Sequence, residues 1–312
     1  MTSPVVALSG GIGGAKLALG LDRILPAGDL TVICNTGDDF EHLGLTICPD
    51  IDTVLYTLSG QSNRTLGWGR EGETWAFMKA LKALGGETWF QLGDGDLATH
   101  VERTRRLAEG QTLTDITTAF ARAFEIGSTI LPMSDAPVRT IVQTPDGPLP
   151  FQRYFVEQRC TPEVTGFVFD GAASATVSDA VASALADPEL QAIVICPSNP
   201  LISIDPILSV PGLRDALADA SAPVVAVSPI IAGQAVKGPT AKMMQELGLP
   251  TTSKAIADHY GSLLDGLVID SADADQAGTV PAACLATPTL MQSDADKERL
   301  AREVLEFAAS LR

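Results

Sequence analysis

The sequence predicts an α/β protein, a doubly wound and mainly parallel Rossmann-like sheet carrying a mostly helical insertion. Three observations point there. The apolar runs Val5-Val6-Ala7-Leu8, Leu30 to Cys34, Ala192 to Cys196, Val224 to Val227 and Leu267 to Ile269 are short and unbroken, as in strands covered on both faces. Stretches with helical spacing separate them. The loops after these runs are rich in Gly, Asp, Asn, Ser and Pro. In such sheets, residues just past the carboxyl ends of strands line the ligand crevice.

The first run leads into Ser9-Gly10-Gly11-Ile12-Gly13-Gly14-Ala15-Lys16, with four glycines in five positions. A helix with Leu17, Leu21, Ile24 and Leu25 on one face follows and stops at Pro26. A strand, a glycine turn and a helix together bind phosphate: glycine permits close approach, and free N–H groups at the helix start face the anion. The turn lacks the Gly-Lys-Ser/Thr ending of a Walker loop. Lys16 replaces the third glycine of a dinucleotide fingerprint, and Asn35 stands where a ribose-binding acid would be. These mismatches argue against a nicotinamide dehydrogenase.

The second run ends in Asn35-Thr36-Gly37-Asp38-Asp39, and Cys48-Pro49-Asp50-Ile51-Asp52 follows. Adjacent carboxylates at a strand end call for a positive partner; a divalent cation, magnesium, fits oxygen ligands of this kind. Asp50 is expected to cap the helix that begins here, with Asp52 in its first turn. That duty does not account for both. Four aspartates within fifteen positions, on turns able to converge, make a metal or hydroxyl site.

Residues 59–151 read as the helical insertion, with helices over 74–84, 97–108 and 113–124, between core segments 1–58 and 152–312. The insertion carries Asn63-Arg64, Gly67-Trp68-Gly69-Arg70 and the turn Leu92-Gly93-Asp94-Gly95-Asp96. Trp68 and Trp75 are expected to pack, with stacking on a planar ring as the second reading. His100 and Arg103 share a helical face with Asp96, and His100 is expected to be a structural hydrogen bonder. Strands over 138–143 and 149–155 flank the turn Pro145-Asp146-Gly147. Further on, Pro197-Ser198-Asn199-Pro200 and Ser228-Pro229-Ile230-Ile231 follow strands, and Lys237-Gly238-Pro239 opens a helix through Leu247. Ser293 with Asp296 marks the start of the last helix as a variant capping box.

The chain has 312 residues, 46% hydrophobic, enough for a sizeable core. A net charge of −17 excludes non-specific binding to nucleic acid or an anionic membrane. No apolar run is long enough to span a bilayer, and no charged and apolar leader precedes the first strand. Cys34, Cys48, Cys160, Cys196 and Cys284 form no Cys-x-x-Cys and are expected to be reduced, in a cytoplasmic protein.

Taken in order, the glycine turn, the two aspartate turns, Leu92-Gly93-Asp94, Leu131-Pro132-Met133-Ser134-Asp135 and the two proline-bearing loops resemble the 2-phospho-L-lactate transferases of coenzyme F-420 biosynthesis, from about residue 5 to residue 270. The resemblance implies a deazaflavin acceptor, Fo, whose terminal ribityl hydroxyl attacks a guanosine diphosphate ester of phospholactate or a relative, releasing GMP. It implies Mg2+ and a homodimer. Asp52 matches the acceptor-binding aspartate, which holds or deprotonates the hydroxyl; Asp50 is its catalytic companion. Asp38, Asp39 and Asp50 are the candidate metal ligands. Gly10, Gly11, Gly13, Gly14, Lys16, Asn35, Gln91, Asp94, Ser198, Asn199 and Ser228 are the candidate substrate contacts. Gln91 stands where some relatives carry a basic residue, and Gly95 where many have Arg or Lys. The acid carried (lactate, enolpyruvate or glycerate) therefore stays open. The alternative is a regulator binding a uridine nucleotide sugar. Asp50-Ile51-Asp52 and Gly93-Asp94 favour the transferase.

Overall fold

The computed structural model describes residues 4–63, 65, 68–236 and 238–312. Arg64, Gly67 and Lys237 lie outside the described residues. Seven parallel strands form the central sheet: β1 (Val5–Ser9), β2 (Leu30–Cys34), β3 (Thr129–Pro132), β4 (Ala192–Ile195), β5 (Val224–Val227), β6 (Gly266–Ile269) and β7 (Ala283–Ala286). Their spatial order is β7-β6-β5-β4-β1-β2-β3. Val5 of β1 pairs with Leu30 on one side and Ala192 on the other. The order therefore reverses between β1 and β4, and a crevice opens there.

Successive residues of β1 serve opposite faces, which explains the unbroken apolar run. Val6 and Leu8 join one buried layer with Ile33, Ile193 and Ile195. Val5 and Ala7 join the other with Val32, Cys34 and Val194. The second layer is covered by α1 (Gly11–Ile24), α2 (Pro49–Leu58) and the last helix, Asp294–Ala309. α1 approaches that last helix closely: a Cβ on Gly20 would lie 2.2 Å from the Lys297 carbonyl oxygen. The last helix has its capping box, Ser293 with Asp296.

The span expected as an insertion contains α3 (Ala76–Ala83), α4 (Asp94–Ala108) and α5 (Leu113–Ala123). It also returns to the sheet, since Thr129–Pro132 is the edge strand β3. The strand Arg139–Thr144 pairs antiparallel with Gly147–Pro150 and with Gly166–Asp170. The strand expected over 149–155 ends at Pro150. Beyond it the chain coils, because Phe151 and Tyr154, three positions apart, both enter the core. The hairpin Phe40–His42 with Leu45–Ile47, and β7, were not expected. The helix foreseen from Lys237 begins at Thr240. All five cysteines are free. No described helix is long and apolar enough to cross a membrane.

Candidate functional site

A cavity of about 640 Å³ opens where the strand order reverses. The strand ends contribute Gly10, Gly11, Gly13, Lys16, Asp38, Ser198, Asn199 and Ser228. The helices and loops that cover them contribute Asp50, Asp52 and Tyr56 of α2, Asp96 and His100 of α4, and the rings of Trp68, Phe90, Phe151 and Phe155, with Gln91 exposed. Eleven of the residues expected from sequence line this space (Gly10, Gly11, Gly13, Lys16, Asp38, Asp50, Asp52, Gln91, Ser198, Asn199 and Ser228), whereas Gly14, Asn35, Asp39 and Asp94 do not.

The glycines serve close packing of the chain on itself as much as ligand approach. A Cβ on Gly13 would fall 2.3 Å from the Pro197 carbonyl oxygen, and one on Gly10 would fall 2.5 Å from Ser203 Cβ. Gly14 packs on the Ser9 and Ser198 hydroxyls, and Gly11 has a φ of +67°. Two amides of the turn are already engaged: Gly10 N–H donates to Ser198 Oγ at 3.2 Å, and Gly11 N–H to Asp50 Oδ1 at 2.7 Å. The amides of Ile12 and Gly13 have no acceptor inside the helix and remain for an anion. Lys16 Nζ donates to the Met291 carbonyl at 3.0 Å.

Asp50 therefore does not cap its own helix, whose N-cap is Cys48. It reaches across to the start of α1. Asn35 secures it, donating from Nδ2 to Asp50 Oδ2 at 2.9 Å while accepting from Gly37 N–H at 2.8 Å. Asn35 thus stands behind Asp50 and positions it. Burial raises the Asp50 carboxyl to about 6, against the bonds from Asn35 and Gly11. Burial also pushes Asp38 well above the ordinary range; Asp50 adds to this, Asn35 tempers it, and Asp39 adds a little more. Asp38 Oδ1 is buried and has no hydrogen-bond partner. Two buried carboxyls that repel one another, one with an orphaned oxygen, fit a hard divalent cation.

Asp39 lies outside the cavity, 3% exposed. Burial raises it to about 7, opposed by the Arg139 charge, a bond from Cys48 and the Arg103 charge. Asp52 is gripped by Arg103, whose Nη1 donates to Oδ2 at 3.1 Å and whose Nη2 donates to Oδ1. His100 sits between two carboxylates, with Nδ1 3.6 Å from Asp52 Oδ2 and Nε2 3.2 Å from Asp96 Oδ2. Tyr56 donates to Asp96 Oδ1 at 2.6 Å. Asp52, Asp96 and His100 bring ligand atoms within 4.8 Å of one another, but the Arg103 guanidinium already supplies positive charge there.

Asp94 proves to be a cap. Its carboxylate accepts from the amides of Ala76 at 3.0 Å and Phe77 at 2.9 Å, holding the start of α3. Trp68 and Trp75 meet edge to face at 6.2 Å, and Trp68 also borders the cavity. Asn199 Oδ1 accepts from Leu201 N–H at 3.0 Å, and Ser228 Oγ faces Ser253 Oγ at 3.2 Å. Sequence reasoning missed Tyr56 and the rings of Phe90, Phe151 and Phe155. The signal for Tyr56 was its place one helical turn beyond Asp52.

A family model described as 2-phospho-L-lactate transferase CofD matches residues 5–308. A phosphoenolpyruvate transferase of Streptomyces griseus subsp. griseus is 44% identical over 318 residues, covering 99% of each chain. A 2-phospho-L-lactate transferase of Methanosarcina mazei is 40% identical over 305 residues, covering 97% of this chain and 99% of that one. Among solved structures, a UPF0052 family protein of Bacillus halodurans superposes with a TM-score of 0.65 at 14% identity, over 98% of this chain and 99% of that one, a likeness of fold.

Proposed function

Since the chain belongs to the 2-phospho-L-lactate transferase CofD family, the transferases of coenzyme F-420 biosynthesis, we propose that it moves a phosphoenolpyruvyl or phospholactyl group from a guanosine diphosphate ester to the terminal ribityl hydroxyl of Fo, releasing GMP. The observation that carries this reading is one cavity holding an amide-bearing helix start, two buried aspartates that repel one another, and a third aspartate beside a set of aromatic rings.

The diphosphate lies on the Ile12 and Gly13 amides at the start of α1, with Lys16 alongside. Ser198, Asn199 and Ser228 serve the guanosine. The deazaflavin ring occupies the space bordered by Trp68, Phe90, Phe151 and Phe155. Asp38 and Asp50 are the residues that would hold Mg2+, which supplies Lewis-acid neutralisation of the diphosphate when bound. Asp52 accepts a hydrogen bond from the ribityl hydroxyl and orients its oxygen toward phosphorus. That oxygen bonds to the phosphorus bearing the acid, and the phosphorus–oxygen bond to GMP breaks. The protein acts in the cytoplasm as a homodimer.

The test is to mix purified protein with Fo, Mg2+ and either donor ester. GMP and a new phosphodiester are expected in equal amounts, and the preferred donor identifies the acid. No GMP with either donor would sink the reading. A uridine nucleotide sugar should leave the melting temperature unchanged, whereas a true ligand at ~100 times its dissociation constant adds roughly 2.7 kcal/mol.

A further inference from the structure

α2 and α4 meet along a seam of polar side chains. Asp52 and Tyr56, one turn apart on α2, face Asp96, His100 and Arg103, which fall on one face of α4. Arg103 and His100 are the most deeply placed of these, each 1% exposed. A buried arginine is costly unless its donors are satisfied. Here both terminal nitrogens are spent on the two oxygens of Asp52, with the Thr46 carbonyl 3.4 Å from Nη1, while Nε is buried without a partner. The guanidinium also lies over the Phe120 ring of α5 at 5.8 Å. The fork is thus held by packing from behind and delivers its grip to one carboxylate, which borders the cavity.

This arrangement decides what Asp52 can do. A carboxylate bound at both oxygens by a guanidinium has its plane fixed. It can still accept a further hydrogen bond through a remaining lone pair. We infer that Arg103 is a positioning residue for the transfer: its two-pronged contact fixes the plane of the Asp52 carboxylate, so that Asp52 presents a correctly oriented oxygen to the substrate hydroxyl. The inference rests on the transferase reading above and deepens it. The chemistry is unchanged: the hydroxyl oxygen bonds to the phosphorus bearing the acid, the phosphorus–oxygen bond to GMP breaks, and the hydroxyl proton passes to solvent or to the phosphate of the departing GMP.

The groups facing Asp52 and Arg103 are His100 and Asp96 of α4, Tyr56 of α2, and Asp39 and Cys48 from the segment before α2. Any pH profile is read against all of them.

The experiment compares wild type with Arg103→Lys and Arg103→Ala in the GMP-release assay. Melting temperature and intrinsic Fo fluorescence on binding are followed alongside. Lysine keeps the charge but cannot make the two-pronged contact. It is expected to lose about a hundredfold in kcat, with the KM for the donor ester unchanged. Arg103→Ala should lose at least as much and recover part of its kcat when guanidinium salt is added below denaturing concentration, with sodium chloride and urea as controls. A merely structural role would lower the folded fraction, leave the kcat of the folded fraction intact, and show no rescue specific to guanidinium. Either that outcome, or an Arg103→Lys enzyme with wild-type kcat, overturns the inference while the transferase reading stands. A wild type that releases no GMP fails the reading itself, and the inference with it.

Discussion

Asp38 and Asp50 on one hand, and Asp39 and Asp52 on the other, are the same residue type within one short stretch, yet the fold assigns them opposite surroundings. The strongest influences on Asp38 after burial are the repelling charge of Asp50 and a bond from Asn35. Asp50 is held by an amide and an Asn side chain, both neutral. Asp39 feels the charges of Arg139 and Arg103, and Asp52 is gripped by Arg103 outright. The first pair leaves negative charge for an incoming cation to balance. In the second pair guanidinium charges stand close: they oppose the effect of burial on Asp39, and Arg103 binds Asp52 directly. Identity of side chain therefore says little about role; the sign of the nearest partner says most.

The sharpest way to break this division is to remove one carboxylate from each pair. Asp50→Asn is expected to lose roughly 10³-fold in kcat/KM and to weaken Mg2+ binding, measured by titration calorimetry. Asp52→Asn should lose about 10²-fold with Mg2+ affinity intact. If Asp52→Asn weakened Mg2+ as much as Asp50→Asn does, the pairs would be a single site and the division would fail.

A second, smaller effect is pH-dependent. Burial raises Asp50 to about 6 and Asp39 to about 7, above the ~3.9 of an unfolded aspartate. The native state then binds these protons more tightly than the unfolded chain does. Their contribution to stability is fully present below about pH 4 and is lost as pH rises through about 6 to 7. In thermal melts, metal-free protein should lose more stability between about pH 5 and pH 8 than Asp50→Asn does over the same range. Saturating Mg2+ should restore the wild type most at the upper end, where both ligands are ionised. A metal-free wild type no more pH-sensitive than Asp50→Asn would show that the Asp50 carboxyl is not the strained group.

How far all this could be read in the sequence depends on whether the partner is local. The strands β1, β2, β4, β5 and β6 were legible because two-sided burial writes an unbroken apolar run. β7 is as long as β4 to β6 but is a partly exposed edge strand of mainly small residues, and the hairpin strands at 40–42 and 45–47 have only three residues each. The glycine turn was legible as a turn. That Gly10 and Gly13 make room for Ser203 and Pro197 was not, since those contacts come from a loop far along the chain. Local capping rules assigned Asp50 to its own helix, and the resemblance made Asp94 a substrate contact, whereas each binds amides of a different helix. The face shared by Asp96, His100 and Arg103 was visible from spacing; its docking on Asp52 and Tyr56 was a fact of tertiary structure.

The smallest effect expected is also the most discriminating, because it concerns the aspartate adjacent in sequence to a proposed ligand. Asp39→Asn removes a carboxylate next to Asp38, yet the Asp39 side chain lies outside the cavity among Cys48 and the arginine charges. Replacing it should leave Mg2+ affinity and the KM for both substrates unchanged. Above about pH 7 the variant should be more stable than wild type, since burial outweighs the arginine charges at Asp39 and the cost of ionising the carboxyl is removed. Calorimetry and a melt on the one variant suffice. Loss of Mg2+ binding in Asp39→Asn would mean that sequence adjacency, and not the orientation seen here, decides which aspartates form the cation site.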